Sequence, residues 1–166
     1  MIRLGTRADF AALAAVERSA ALSFAGTPMA FVIGHGTTPD DALCAGVAEK
    51  SLWVSDLAGE PAGFLLAAAE GEWLHILELS VAQAAQRRGI GRALVERAAE
   101  HARARGLRSL SLTTDRFIEW NAPAYARMGF AELAAGEQPD WLAGILLREA
   151  THGLDPARRV AMARGV

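Results

Sequence analysis

Two glycines and three arginines fall together in Gln86-Arg87-Arg88-Gly89-Ile90-Gly91-Arg92, directly ahead of a helical pattern. Those types at that junction bind anions. The first N–H groups of a helix have no internal acceptor, and the helix dipole is positive there. Gly89 and Gly91 lack side chains, so a phosphate can come close to the backbone. Arg87, Arg88 and Arg92 add guanidinium groups that pair with phosphate oxygens. The same glycines would also serve a tight strand-to-helix connection flanked by solvated arginines.

Two familiar phosphate sites fail on context. A P-loop needs a glycine, four residues, then Gly-Lys-Ser/Thr, and this stretch has neither the lysine nor that spacing. A dinucleotide fingerprint needs a third glycine three residues after the second, where this chain has Leu94. It also needs a strand–helix–strand repeat, whereas the preceding strands read as a meander.

The segment Val81-Ala82-Gln83-Ala84-Ala85-Gln86-Arg87-Arg88-Gly89-Ile90-Gly91-Arg92-Ala93-Leu94 resembles the acetyl-CoA signature of the GNAT superfamily of N-acetyltransferases. The pattern is Gln/Arg-x-x-Gly-x-Gly/Ala, with the Gln five residues beyond a strand-ending Val. Val81 and Gln86 satisfy it. A second block, Asn121-Ala122-Pro123-Ala124-Tyr125-Ala126-Arg127-Met128-Gly129-Phe130, resembles the family's Asn, Tyr, Gly and Phe positions in order. The likeness is strong over residues 73–133 and rests on element order before that. Gln83 departs from the proline many members carry.

The resemblance implies a mixed sheet with splayed fourth and fifth strands and acetyl-CoA as cosubstrate. The amides of Gln86, Arg87, Arg88, Gly89, Ile90, Gly91 and Arg92 would hold the pyrophosphate. Leu79, Ser80 and Val81 would offer backbone hydrogen bonds to the pantetheine arm and thioester carbonyl, much as a strand adds to a sheet edge. Asn121 would bond the cofactor as well. Tyr125, the only tyrosine, stands where the family has its general acid, and a phenol can give a proton to the leaving thiolate.

His75 and Glu78 are the base candidates. Both lie on the strand before the cofactor turn, and simple alternation puts them on opposite faces. A bulge late in that strand, which the family has, would disturb the alternation. An imidazole near its ordinary pKa of about 6.5 could take the ammonium proton; Glu78 could bind the ammonium. His35, Phe24, Phe31, Trp53 and Trp120 are candidates for the acceptor wall, the alternatives being core packing for the aromatics and a plain loop residue for His35. Asp115, Arg116 and Glu119 either touch the acceptor or are solvated. His101 and His152 read as surface residues and Cys44 as a small core residue. Nothing has metal-ligand spacing.

The elements that must position these residues follow from periodicity. Ile2–Leu4 opens as a strand, and a helix runs from about Asp9 to Ala20. Residues 23–38 are rich in Gly, Pro and Thr and read as irregular. Thr38 reads as an N-cap and Pro39 as the first turn of a helix ending near Lys50. Strands over Ser51–Asp56, Pro61–Ala69 and Trp73–Val81 make a meander. A helix from the glycine turn to about Arg105 buries Leu94, Val95, Ala98, Ala99 and Ala102. Arg108–Thr114 alternates as a strand beside and parallel to Trp73–Val81 through a right-handed crossover. Asn121–Met128 is a short helix, Phe130–Leu133 a strand, Pro139–Glu149 a helix and Arg159–Ala163 a last strand. The class is α+β: a mixed, mostly antiparallel sheet of about seven strands flanked by helices.

At 166 residues the chain reads as one domain, 1–166, with 52% apolar and 22% charged residues. A net charge of −2 argues against a general nucleic-acid binder. Cys44 is the sole cysteine, so no internal disulfide forms and a cytoplasmic setting fits. No apolar run reaches the roughly 20 residues a bilayer span needs, and the N-terminus has no signal-peptide pattern. The expected partner is a small-molecule or peptide amine, with no membrane and no nucleic acid; a homodimer is open. The function expected is acetyl transfer from acetyl-CoA to a primary amine by direct attack in a ternary complex. The alternative is a non-catalytic coenzyme A-binding sensor.

Overall fold

The computed structural model describes residues Met1–Val166. Its strands are β1 (Ile2–Leu4), β2 (Leu52–Leu57), β3 (Glu60–Glu70), β4 (Trp73–Val81), β5 (Ser109–Asp115), β6 (Ala131–Glu132) and β7 (Arg159–Gly165). They form one sheet in the order β1-β2-β3-β4-β5-β7-β6. Only β4 and β5 pair in parallel; every other neighbour is antiparallel. The helices are α1 (Phe10–Ala21), α2 (Asp40–Ala48), α3 (Ile90–Ala104), α4 (Ala122–Ala126) and α5 (Asp140–Thr151). The expected α+β sheet and its crossover are both present.

Apolar residues are buried on both faces of this sheet, which is why β3 reads as a nearly unbroken apolar run. On one face Leu65 and Ala67 pack with the α3 stripe, Leu94, Val95, Ala98, Ala99 and Ala102. On the other, Phe64 and Leu66 pack with Leu13 and Val16 of α1 and Leu43 of α2. Alternation along β3 assigns each face its set. Trp53 is fully buried in the α3-side core and takes no part in an acceptor wall.

Several local expectations change. Thr38 does not cap α2: Pro39 is the N-cap, and the Thr38 amide donates to Glu17 Oε2 at 2.8 Å. Asp9 precedes α1 at the end of a 3-10 turn over Arg7–Asp9, where its carboxylate accepts from the Thr6 amide (2.7 Å) and from Arg3 (2.8 and 2.9 Å). His101 is not a plain surface residue: its ring packs edge-on to Trp53 at 5.1 Å, and its Nε2 is buried without a partner. Asp115 is neither solvated nor an acceptor contact. It is wholly buried, accepting from the Phe117 and Ile118 amides and from Arg158 Nε at 2.8 Å. Although burial opposes it, those donors hold the Asp115 carboxyl below its usual range. Cys44 is half-buried.

Candidate active site

The β4–β5 pairing is short. Trp73, Leu74 and His75 match Ser109, Leu110 and Ser111, and no pair follows. Beyond that point the strands part, leaving the outer half of β4 with an unpaired edge. The splay expected between the fourth and fifth strands is therefore present.

A bulge sets the side chains at this split. Leu66 pairs with Glu78 and Ala67 with Ile76, so Leu77 is the extra residue. One extra residue reverses the alternation. Glu78 shares a face with Leu66, and His75, opposite Ala68, lies on that same face. The two candidates that alternation separates are thus brought together, on the side of α1, α2 and α5.

Their surroundings differ. His75 is 3% exposed; its Nδ1 bonds Ser111 Oγ at 2.9 Å, and Trp141 of α5 lies edge-on at 5.4 Å. Burial pulls the His75 imidazole down to about 4, against the weak upward pull of Glu149. Such a ring is neutral at neutral pH and a poor proton acceptor. Glu78 accepts from Ser80 Oγ at 2.6 Å. Burial, reinforced by the Glu17 carboxylate, pushes Glu78 up to about 7. A carboxylate poised there is suited to general-base work at physiological pH.

Tyr125 arrives from the opposite face. Asn121 stands at the N-cap position of the short helix α4 without a side-chain cap bond, Pro123 lies in its first turn, and the amides of Met128 and Phe130 donate back to the Tyr125 carbonyl at 2.9 and 3.1 Å. Its ring packs edge-on to Phe130 at 5.7 Å. Burial first, then the negative charge of Glu78, push the phenol above its ordinary range. The phenol and the carboxylate therefore act on each other at the split, and the hydroxyl keeps its proton.

The cofactor turn begins at the end of β4. A 3-10 turn over Gln83–Ala85 leads into Arg87, whose φ of 60° is left-handed, and Gly89, with φ 79° as the α3 N-cap. A left-handed conformation at an arginine costs about 1 kcal/mol, and such strain collects at ligand sites. The amides of Arg87 to Arg92 have no acceptor within the chain; the first helical bond runs from the Ala93 amide to the Gly89 carbonyl. The Gln86 side chain holds the turn in place: Nε2 donates to the Val81 carbonyl (3.0 Å) and to Ser23 Oγ (3.0 Å).

Ser23 was not foreseen. It lies 63 positions from Gln86, in the 3-10 turn Leu22–Phe24, and nothing local marks it. The next residue, Phe24, meets Trp120 at 5.9 Å, so two of the aromatic acceptor-wall candidates do come together. Phe31 instead packs with His35 at 5.9 Å. On α5, Glu149 pairs with Arg159 of β7 (2.9 and 3.0 Å) beside Thr113. The sequence marks Glu149 and Arg159 only as ends of a helix and a strand, with no sign that the two pair.

A profile described as the Acetyltransferase (GNAT) family matches residues 24–130. The chain belongs to that family, and its class of chemistry is acyl transfer. Among solved structures, a PaiA N-acetyltransferase from Thermoplasma acidophilum, in complex with coenzyme A, superposes with a TM-score of 0.74 at 14% identity, covering 100% of this chain and 98% of that one. A ribosomal-protein-alanine N-acetyltransferase from Brucella melitensis gives 0.70 at 20% identity, covering 100% and 99%. The ribosomal-protein-S18-alanine N-acetyltransferase from Escherichia coli gives 0.68 at 20%, covering 100% and 93%. These likenesses show a shared fold.

The residues fit coenzyme A. A Cβ built on Gly89 would meet nothing within 4 Å, and one on Gly91 only Leu79 and Val81 methyls at 3.9 Å. The chain's own packing does not require glycine at 91, which itself lies among the residues whose amides are unpaired. No helix is long and apolar enough to cross a membrane.

Proposed function

We propose that this chain, acting as one domain over residues 1–166, moves the acetyl group of acetyl-CoA to a primary amine by direct attack in a ternary complex. The observation carrying this is the β4–β5 split: unpaired amides lie at its outer end, and the Glu78 charge acts on the Tyr125 phenol there. Amides 87 to 92, with Arg87, Arg88 and Arg92, would hold the pyrophosphate; the Gln86 amide, expected to join them, instead donates to the Gln83 carbonyl at 3.3 Å. The free edge of β4 at Leu79, Ser80 and Val81 would pair with the pantetheine arm, and Asn121, whose side chain is otherwise uncommitted, would fix it from the far side. Bound there, acetyl-CoA supplies an activated thioester.

The chain's residues then move protons. Glu78, as carboxylate, takes one from the ammonium of the acceptor, freeing its lone pair. Tyr125 gives one to the departing thiolate. A covalent acyl-enzyme is disfavoured, because Cys44 lies on α2, away from the split. His75 is too weak a base for the first step.

Thiol release from acetyl-CoA, measured with a panel of primary amines, tests this reading. Acceptor-dependent release that falls at least a hundredfold in Tyr125→Phe supports it. Tight acetyl-CoA binding with no turnover on any amine would overturn it in favour of a coenzyme A-binding sensor.

A further inference from the structure

A cavity of about 310 Å³ opens where β4 and β5 part, on the face that carries Glu78. It is bounded by His75 and Leu77 of β4, Thr113 of β5, and Ile145 and Arg148 of α5. Three features give it a chemical character. The His75 ring is almost wholly buried, with Nδ1 committed to Ser111; its Nε2 has no partner in the chain and is not sealed off from the cavity. Arg148 has no carboxylate partner, whereas Glu149 beside it accepts from both Nε and Nη2 of Arg159. Between them the wall is apolar: Leu77, Ile145 and Ala68.

From these we propose that the cavity is the acceptor subsite, and that it selects an amine bearing a carboxylate on a short apolar spacer. The proposal rests on the acetyl-transfer reading above. Glu78 does not itself line the cavity but follows Leu77, which does, on the face His75 shares; the ammonium sits there, at the cavity's Glu78 end. His75 lies one strand repeat back on the same face, roughly 7 Å along β4, and there its Nε2–H donates to the carboxylate while Nδ1 accepts from Ser111 Oγ–H. Arg148 supplies the opposing charge. Arginine matches a carboxylate with paired N–H donors, and Gly144, one turn earlier on α5, leaves room for the guanidinium: a Cβ there would stand 3.4 Å from Nη1. Of the acidic groups lining the cavity, Glu149 is neutralised by Arg159, and Glu70 is exposed on the open side.

Matched pairs test the class: ω-amino acids of two to five carbons against n-alkylamines of equal length. The expected result is a preference of at least tenfold in kcat/KM for the amino acids, carried by KM, and its loss in Arg148→Gln. A second readout is independent of turnover. Bound carboxylate should raise the titration midpoint of the His75 ring by at least one pH unit in NMR spectra, and the matched alkylamine should leave it in place. Equal use of both series with an unmoved His75 overturns the subsite while acetyl transfer stands. A His75 shift in a protein that turns over neither these series nor any amine of the wider panel supports a carboxylate site and overturns the enzymatic reading instead.

Discussion

Replacing Glu78 by Gln should stabilise the folded chain above neutral pH. The side chain keeps its shape and its acceptor oxygen for Ser80, but it no longer brings a charge into a half-buried site. The carboxyl rises from 4.5 to about 7 on folding. At ~1.4 kcal/mol per pH unit this is at most about 3 kcal/mol of destabilisation. The sign follows from proton binding: between pH 4.5 and 7 the folded state holds more protons at Glu78 than the unfolded one, so stability falls as pH rises. His75 does the reverse. Its pKa drops from 6.5 to about 4 on folding, so its contribution of about 3 kcal/mol is full above 6.5 and lost as pH falls toward 4. In the native chain the two slopes oppose each other across nearly the same window. Urea unfolding from pH 4.5 to 8 should find the native protein nearly flat and Glu78→Gln climbing. The two should coincide near pH 4.5 and separate by 2–3 kcal/mol at pH 8. A variant no more stable than the native chain at pH 8 would refute the claim that Glu78 is desolvated.

Two further substitutions test other parts of the molecule. Gly91→Leu fills the space beside the unpaired amides, so acetyl-CoA affinity should fall by two orders of magnitude in calorimetry. The fold should survive, because a helix-interior glycine is itself about 0.8–1 kcal/mol less favourable than alanine; retained affinity would sink the pyrophosphate assignment. Asp9→Asn removes a carboxylate that hydrogen bonds from Arg3 hold near 2, and should cost about 2 kcal/mol at pH 7. That contribution is fully present above the ordinary pKa of 3.8 and disappears as pH falls through 2, so unfolding of the two proteins should converge in acid.

How far the sequence spoke for the structure depended on distance along the chain. The apolar stripe of α3, the alternation of β5 and the glycine turn between β4 and α3 are local patterns, and each folds as its period demands. Tyr125 and the amides of the turn were legible because their motifs are contiguous. The relation between His75 and Glu78 was not: it depends on Leu77 being extruded when β4 pairs with β3, a register that no short window encodes. Asp115 was misread because an acid after a strand looks solvated until Arg158, 43 positions away, is seen to meet it. Ser23, Arg148, Glu149 and Arg159 share that difficulty. Their roles come from tertiary pairing, and the charge of Glu149 reads as an ordinary helix surface until β7 brings Arg159 against it.

The central claim is that Glu78 takes the proton and Tyr125 gives one. The pH dependence of kcat/KM for acetyl-CoA-dependent thiol release, followed with a single accepted amine, tests it most directly. The native enzyme should show a rising limb with an apparent pKa near 7, absent from Glu78→Gln together with at least a hundredfold of the rate. A limb near 7 that persists in Glu78→Gln at undiminished rate would contradict the account.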